Sequence, residues 1–454
     1  MKRYPAFFGI ALVAAAGLIC VFPLGCASVH GSTTLAKIPL EKIQSQIQRQ
    51  KPAKITAGAA KVEITPAVGT PLAGYSKRKG KPSTGIRDSL YVRTLVLSDG
   101  TDTAVFVSAD LLIFPPPLAE QLFKQIAKEF KLYRQSVVLC ATHTHSGMGA
   151  IAPGFLYEMV FGEYDPEVIE GLKARIIWSI RQALERMEPV QWGVESAPVL
   201  GLTENRRNPL GPTDPKITVF MVESVEKKKP LAILVNAAAH PTLLGSQDMR
   251  FSGDFPGEVS RLLETAYPDS VCLFVNGAAG DLRPSGQLAS DPEEKIRNFS
   301  QGIAEQAGAI VSRLKLSPKG DVVTWGWRMN LPSPQVRLGP VPVPSLIGRM
   351  MRPTSAYLNL IALDRLIFVP LSAELTTGLG QGLRHRLVSQ GVEPLLLGYA
   401  NGYLGYAVTP QEFRDGSYES WMTWYGPSFG ELMVDGIEAL AGVYSEESKE
   451  GKDR

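Results

Sequence analysis

Only four cysteines and five histidines occur among the 454 residues, and charge is almost balanced, with 47 Lys and Arg against 44 Asp and Glu. Each scarcity excludes something. A formal net charge of +3, without a Lys/Arg cluster beyond ordinary solvated faces, argues against nucleic acid as a partner. The absence of any Cys-x-x-Cys pair rules out a cysteine zinc framework. Cys20 and Cys26 fall at the N-terminus, which leaves Cys140 and Cys272 for the folded part. Each sits in an apolar, strand-like run, where a buried free thiol is the default. A disulfide between them stays open, because sequence does not establish their proximity. Apolar residues make up 44% and charged residues 20%, a globular composition at a length that suits one large domain or two ordinary ones.

The longest apolar run begins almost at the N-terminus. Lys2 and Arg3 precede an apolar stretch from about Ala6 to Leu24, followed by Gly25-Cys26-Ala27-Ser28. That is the layout of an export signal with a small-residue cleavage site. Its Leu24-Gly25-Cys26 ending resembles a bacterial lipoprotein signal, with Pro23 where an aliphatic residue is usual. The expectation is a signal peptide over residues 1–25 and a lipid anchor at Cys26 that contacts the membrane. A polar tether over 26–55 follows, and the protein is exported to the bacterial cell envelope. Residues 56–443 read as a single domain and 444–454 as a charged tail.

Along that domain, strand and helix signals alternate. Thr103–Ala109, Val137–Ala141, Leu231–Ala239, Val271–Asn276, Val322–Asn330, Leu366–Val369 and Val392–Gly398 read as strands. Leu118–Leu132 and Asp165–Met187 carry helical spacing, the second entered through Asp165-Pro166-Glu167. Further helices are expected near Gly257–Tyr267, Pro292–Leu314 and Glu374–Ser389. Short strands alternating with helices argue an α/β fold with mixed β-sheets and flanking helices.

The chemistry concentrates at strand ends. Val137–Ala141 stops at Thr142-His143-Thr144-His145-Ser146-Gly147. Residues i and i+2 of an extended chain share one side, so both imidazoles leave the strand together, an arrangement suited to two metal ligands or to one ligand beside an acid/base. Leu231–Ala239 runs into His240-Pro241. Val271–Val275 runs into a glycine-rich turn with Asp281 and Arg283. Leu366–Pro370 runs into Glu374, expected in the first turn of a helix. Asn401-Gly402-Tyr403-Leu404-Gly405-Tyr406 follows the strand near Gly398. Such ends gather on one rim, where α/β sites form. Asp110 and Asp254 are expected behind the histidines as hydrogen-bond partners. Trp421, Trp424 and Tyr425 read as core or as an apolar groove, and His385 as a surface residue of a helix.

These blocks, in this order, resemble the catalytic domain of the neutral/alkaline ceramidase family of zinc amidases. The histidine block is Ala141 to Gly147, and the His-Pro block is His240-Pro241. A Glu-x-Thr-Thr block is Glu374-Leu375-Thr376-Thr377, and an Asn-Arg block is Asn205-Arg206. A tyrosine block runs from Asn401 to Thr409 and continues to Tyr418-Glu419. The resemblance implies one Zn²⁺ per chain on His143, His240, Glu374 and Tyr406, with a metal-activated water as nucleophile. It implies His145 as acid/base and Arg206 and Tyr418 as contacts to the substrate carbonyl or its oxyanion. The chain departs from the family at Arg283, which stands where the family has serine and is expected as an anion or oxyanion contact. It departs again in ending soon after the tyrosine block, where ceramidases carry an immunoglobulin-like domain. The expected substrate is a small N-acyl or lipid-like molecule cleaved at its amide. A zinc esterase on the same fold and an inactive ligand-binding lipoprotein remain as alternatives.

Overall fold

A computed structural model describes residues 47, 52–286, 289–338, 341–342 and 352–450. The expected signal peptide, Cys26 and most of the expected tether lie outside the described residues.

Eight strands form the main sheet: β1 (Thr56–Glu63), β2 (Tyr91–Ser98), β3 (Thr103–Ala109), β4 (Val137–Ala141), β5 (Glu188–Pro198), β6 (Lys216–Ser224), β7 (Pro230–Ala237) and β8 (Val271–Asn276). Their order across the sheet is β8-β7-β6-β5-β1-β2-β3-β4. The outermost pairs, β7–β8 and β3–β4, are parallel, and the rest are antiparallel. Counting these senses, β4 and β7 run in opposite directions, so in a flat sheet their carboxyl ends would point apart. A right-handed twist of about 20–25° per strand, over six steps, turns one by roughly 120–150° relative to the other. The two edges also come together, since the Ser108 hydroxyl on β3 donates to the Phe274 carbonyl of β8 at 2.6 Å. Twist and curl thereby bring the ends of β4 and β7 to one place.

A second, four-stranded sheet consists of β9 (Val322–Asn330), β10 (Ser355–Leu363), β11 (Leu366–Pro370) and β12 (Glu393–Leu397) in sequential order. It packs inside the curl. Phe368 of β11 sits against Phe106 of β3 and Phe220 of β6, with ring centroids 4.6 and 5.4 Å apart. The chain leaving β12 stitches the two sheets. Gly398 N–H donates to Asn276 O at 2.7 Å, Ala141 N–H to Tyr399 O at 3.1 Å, and Asn401 N–H to Leu139 O at 2.9 Å. Gly398 is obligatory there, because a Cβ would lie 2.4 Å from Gly277 O.

Helices cover the outer faces. α1 (Pro116–Phe130) buries Leu118, Leu122 and Ile126, and α2 (Pro166–Glu185) starts with Asp165 accepting from Glu167 N–H. α3 (Asp254–Ala266) and α4 (Pro292–Val311) share a separate core with β6, β7 and β8. α5 (Thr377–Ser389) and α6 (Phe429–Glu450) pack together by the second sheet. There Trp325 of β9 stacks on Tyr444 of α6 at 5.0 Å and donates to Leu440 O at 2.9 Å. Truncating so large a buried ring costs about 3–5 kcal/mol.

The α/β reading with mixed sheets holds, and β3, β8 and β9 occupy the bounds read from sequence. Three expectations change. Glu374 is not in a helical first turn but in a two-residue strand, Glu374–Leu375, paired with Tyr406–Ala407. The expected charged tail begins inside α6, which continues to Glu450. Ala53–Lys54, assigned to the tether, pairs with Lys319–Gly320. Cys140 and Cys272 are buried free thiols.

Candidate metal centre

Beyond β4 the backbone turns through His143, held at φ +70°, a left-handed conformation that costs a residue with a Cβ roughly 1–3 kcal/mol. Two backbone bonds support it: His143 N–H donates to Leu111 O at 2.9 Å and Thr142 N–H to Ala109 O at 2.9 Å. The ring stacks on Tyr399, itself at φ +54°, with centroids 3.7 Å apart and planes 13° from parallel. His240 follows the end of β7.

Each ring is oriented by a backbone carbonyl. His143 Nδ1 lies 2.7 Å from Leu112 O, and His240 Nδ1 lies 2.9 Å from Ala279 O. A carbonyl only accepts, so each Nδ1 carries the proton and each Nε2 presents a lone pair. The two Nε2 atoms are 3.3 Å apart. Burial, first of all, holds both imidazoles well below the usual histidine range, so both are neutral. Glu374 Oε2 lies 3.6 Å from His143 Nε2 and 3.5 Å from His240 Nε2.

Two lone pairs and a carboxylate oxygen thus converge on one point in a buried setting, an arrangement that repels itself unless a cation sits among them. The spacing is compatible with a bound divalent ion, Zn²⁺ among them. Two nitrogens about 2.05 Å from one tetrahedral Zn²⁺ stand about 3.3 Å apart. Tyr406 Oη lies beside them, 3.5 Å from His240 Nε2.

Glu374 and Tyr406 arrive as direct partners in the short parallel ladder. The backbone of Gly280 presses against that strand, and a Cβ there would lie 2.9 Å from Glu374 O. Asp281, beside it, accepts from Thr377 N–H, Thr377 Oγ1 and Asn205 Nδ2, each at 2.7 Å. One buried carboxylate therefore fixes the Glu374 strand, the α5 start and the Asn205-Arg206 segment together. Glu374 is aimed by phenols: Tyr403 donates to Oε1 at 2.5 Å and Tyr399 to Oε2 at 3.4 Å. Burial pushes its carboxyl up to about 7 against these hydrogen bonds and the Arg206 charge.

His145 stands next to the convergence, its ring 5.0 Å from His143 and 5.6 Å from His240. One donor nitrogen from each of the three histidines lies within 4.8 Å of the others. Unlike the other two, neither ring nitrogen of His145 makes a well-formed hydrogen bond. Burial, then the nearby Arg206 and Arg78 charges, lower it to about 3. Arg78 secures the backbone here by donating to His145 O at 2.5 Å and to Ala73 O at 3.0 Å.

Arg206 Nη2 donates to Tyr406 Oη at 3.0 Å and to Gly280 O at 2.6 Å, while Nε donates to Glu419 Oε1 at 2.8 Å. Tyr418 is half exposed, its ring edge-on to Tyr406 at 5.7 Å. The structure thus gathers His143, His145, His240, Glu374, Tyr406, Arg206 and Tyr418. It does not gather Arg283. Leu282 and Pro284 are buried, so alternation turns Arg283 outward; it is 57% exposed and pairs with Glu204 at 2.8 Å. Asp110 and Asp254 do not back the histidines either. Asp110 pairs with Arg93 at 3.2 Å, and Asp254 accepts from Leu244 and Phe255 N–H, because backbone carbonyls already hold both Nδ1 atoms. Sequence reading missed Tyr399, Tyr403 and Glu419. The two tyrosines lie in or beside the Asn401–Tyr406 block, and Glu419 follows Tyr418, which was the available signal.

Comparison with known proteins agrees with this geometry. Residues 55–322 match the neutral/alkaline non-lysosomal ceramidase N-terminal region. A neutral ceramidase of Mycobacterium tuberculosis is 21% identical over 455 residues, covering 78% of this chain and 71% of that protein. One from Pseudomonas aeruginosa is 24% identical over 482 residues, covering 84% and 72%. The crystal structure of neutral ceramidase from Pseudomonas aeruginosa shares the fold, with a TM-score of 0.76 at 19% identity, over 87% of this chain and 75% of that one. With more than half of its length matched, the chain belongs to the neutral/alkaline non-lysosomal ceramidase family.

Proposed function

We propose that the protein is a zinc-dependent amidase that hydrolyses the N-acyl bond of a ceramide-like lipid. The observation that carries this reading is the meeting of two neutral imidazole lone pairs, 3.3 Å apart, with the Glu374 carboxylate. Family membership supplies the substrate class, since the relatives are neutral ceramidases.

His143, His240, Glu374 and Tyr406 would hold the ion. When bound, Zn²⁺ in such a set supplies Lewis acidity and lowers the pKa of a water to about 7. The remaining work belongs to the chain. His145 is neutral and has no fixed hydrogen bond, so its ring nitrogen can accept the water proton. With its affinity for that proton lowered by burial and two guanidiniums, it hands the proton readily to the leaving nitrogen. Arg206, anchored by Glu419, holds a fixed positive charge beside Tyr406, where the carbonyl oxygen gains negative charge. Tyr418, at the exposed edge of the cluster, supplies a phenolic donor from the open side. Arg283 takes no part. The N-terminal pattern supports export by a lipoprotein route, with Cys26 as the anchor.

The test is fatty-acid release from an N-acylsphingosine in detergent, before chelation, after it, and after zinc is restored. Amide hydrolysis that disappears and returns supports the reading. Hydrolysis indifferent to chelation sinks it. A metal-loaded protein that cleaves esters and leaves amides intact moves the site to ester chemistry.

A further inference from the structure

Arginines drawn wholly or partly out of solvent in this fold are matched to acceptors. Arg93 pairs with Asp110 and Glu264, Arg206 and Arg207 with Glu419, and Arg384 with Asp214. Arg78 has four backbone carbonyls. Arg352 breaks the pattern. Among the described residues no carboxylate lies within ion-pair reach of it. Among the described residues its Nε has no partner, as in several other arginines, and its one hydrogen bond is a long one, 3.4 Å, to Tyr157 Oη. The guanidinium carbon lies 3.4 Å from the centre of the Trp424 ring, a cation–π contact that supplies no hydrogen-bond acceptor. Burial lowers its pKa accordingly. Arg352 is only partly exposed, and drawing a cation even partly out of water without a nearby counter-charge is unfavourable, a cost that a bound anion would offset.

Arg352 lines a cavity of about 470 Å³, the size of a small-molecule site. Arg134 and Arg328 line it too, and among the described residues the single carboxylate in the wall is Glu120, which is paired with Arg134. Tyr157, Tyr357 and Tyr403 also line it. Three guanidiniums facing one engaged carboxylate make the cavity electropositive, and arginine forks match the geometry of phosphate, sulfate and carboxylate.

We propose that this cavity binds an oxyanion (phosphate, sulfate or carboxylate), with Arg352 as its principal contact and Arg134 and Arg328 completing the charge. The anion supplies the acceptor that Arg352 lacks. The cavity also adjoins the metal centre through one side chain: the Tyr403 ring lines it, and the Tyr403 hydroxyl donates to Glu374. An occupant therefore sits next to the residue that aims a proposed metal ligand.

The test is calorimetric titration of the full chain with inorganic phosphate. Saturable binding at one site is expected, weakened about tenfold or more by Arg352→Gln. Arg328→Gln, at an exposed position, should weaken it by about two- to fivefold, which decides the matter should Arg352→Gln not fold. Arg313→Gln, paired on the surface with Glu195, should leave it unchanged. Absence of saturable binding, or equal binding by wild type, Arg352→Gln and Arg328→Gln, overturns the proposal. So does binding lost in Arg206→Gln but kept in Arg352→Gln, which belongs to the metal centre. Glycerol phosphate binding more tightly than phosphate at this site identifies an organic head group, and weaker binding identifies the free ion; either upholds it.

Discussion

The two halves of the candidate metal centre are built differently. The histidine half comes from the main sheet, and backbone carbonyls of Leu112 and Ala279 fix its rings. The Glu374–Tyr406 half comes from a two-residue ladder, and side chains fix it: Tyr403 and Tyr399 on Glu374, and Arg206 on Tyr406. Backbone support is insensitive to substitution of the supporting residue. Side-chain support is open to mutation one group at a time. The halves should therefore fail in different ways.

The largest effect is expected where either half loses a ligand. His240→Ala and Glu374→Gln should each lower kcat by on the order of 10³-fold or more, measured as fatty-acid release by folded protein. Next comes Arg206→Gln, which leaves all four expected ligands in place but removes the fixed charge. A loss of about 10²- to 10³-fold in kcat is expected, with metal content retained. Tyr403→Phe tests the side-chain-supported half directly. Freed from a 2.5 Å hydrogen bond, Glu374 should bind metal about 10- to 100-fold more weakly in competition with a chelator. Leu112→Ala is the matching change in the other half. It keeps the carbonyl that orients His143, so metal affinity should stay within about threefold while stability falls by about 2–4 kcal/mol. Arg283→Ser should change the rate by no more than about twofold, as expected of an exposed ion pair.

The same contrast explains what was legible in the sequence. An apolar run ending in His143-Thr144-His145 signals strand and site in consecutive residues, so β4 and its histidines could be read locally. His240 after β7 was visible for the same reason. Their meeting was not, because it depends on twist and curl accumulated across the sheet. Glu374 was read as a helix start, since its ladder partner Tyr406 lies 32 positions away and only long-range pairing makes a strand of Glu374–Leu375. Arg283 looked functional in sequence beside Asp281, yet Asp281 lies in the turn before the Leu282–Pro284 strand, outside its alternation, and the two side chains go to different places. Asp281 turns inward as a clamp on Thr377 and Asn205, and Arg283 turns to solvent. Asp110 and Asp254 misled because a carboxylate is the more conspicuous partner for a histidine, whereas any nearby carbonyl serves. Arg352 gave no sequence signal at all; its place in the cavity wall exists only in three dimensions.

Metal content tests the centre most directly. The chain would be purified, stripped with chelator, supplied with zinc, and assayed by elemental analysis as wild type, His240→Ala and Glu374→Gln, with folding checked by circular dichroism. About one zinc per wild-type chain is expected, with most of it lost from both variants, because the converging lone pairs and carboxylate require a cation that neither half holds alone. A folded wild type that takes up no metal, or variants that bind it as tightly, would contradict the assignment of these four residues.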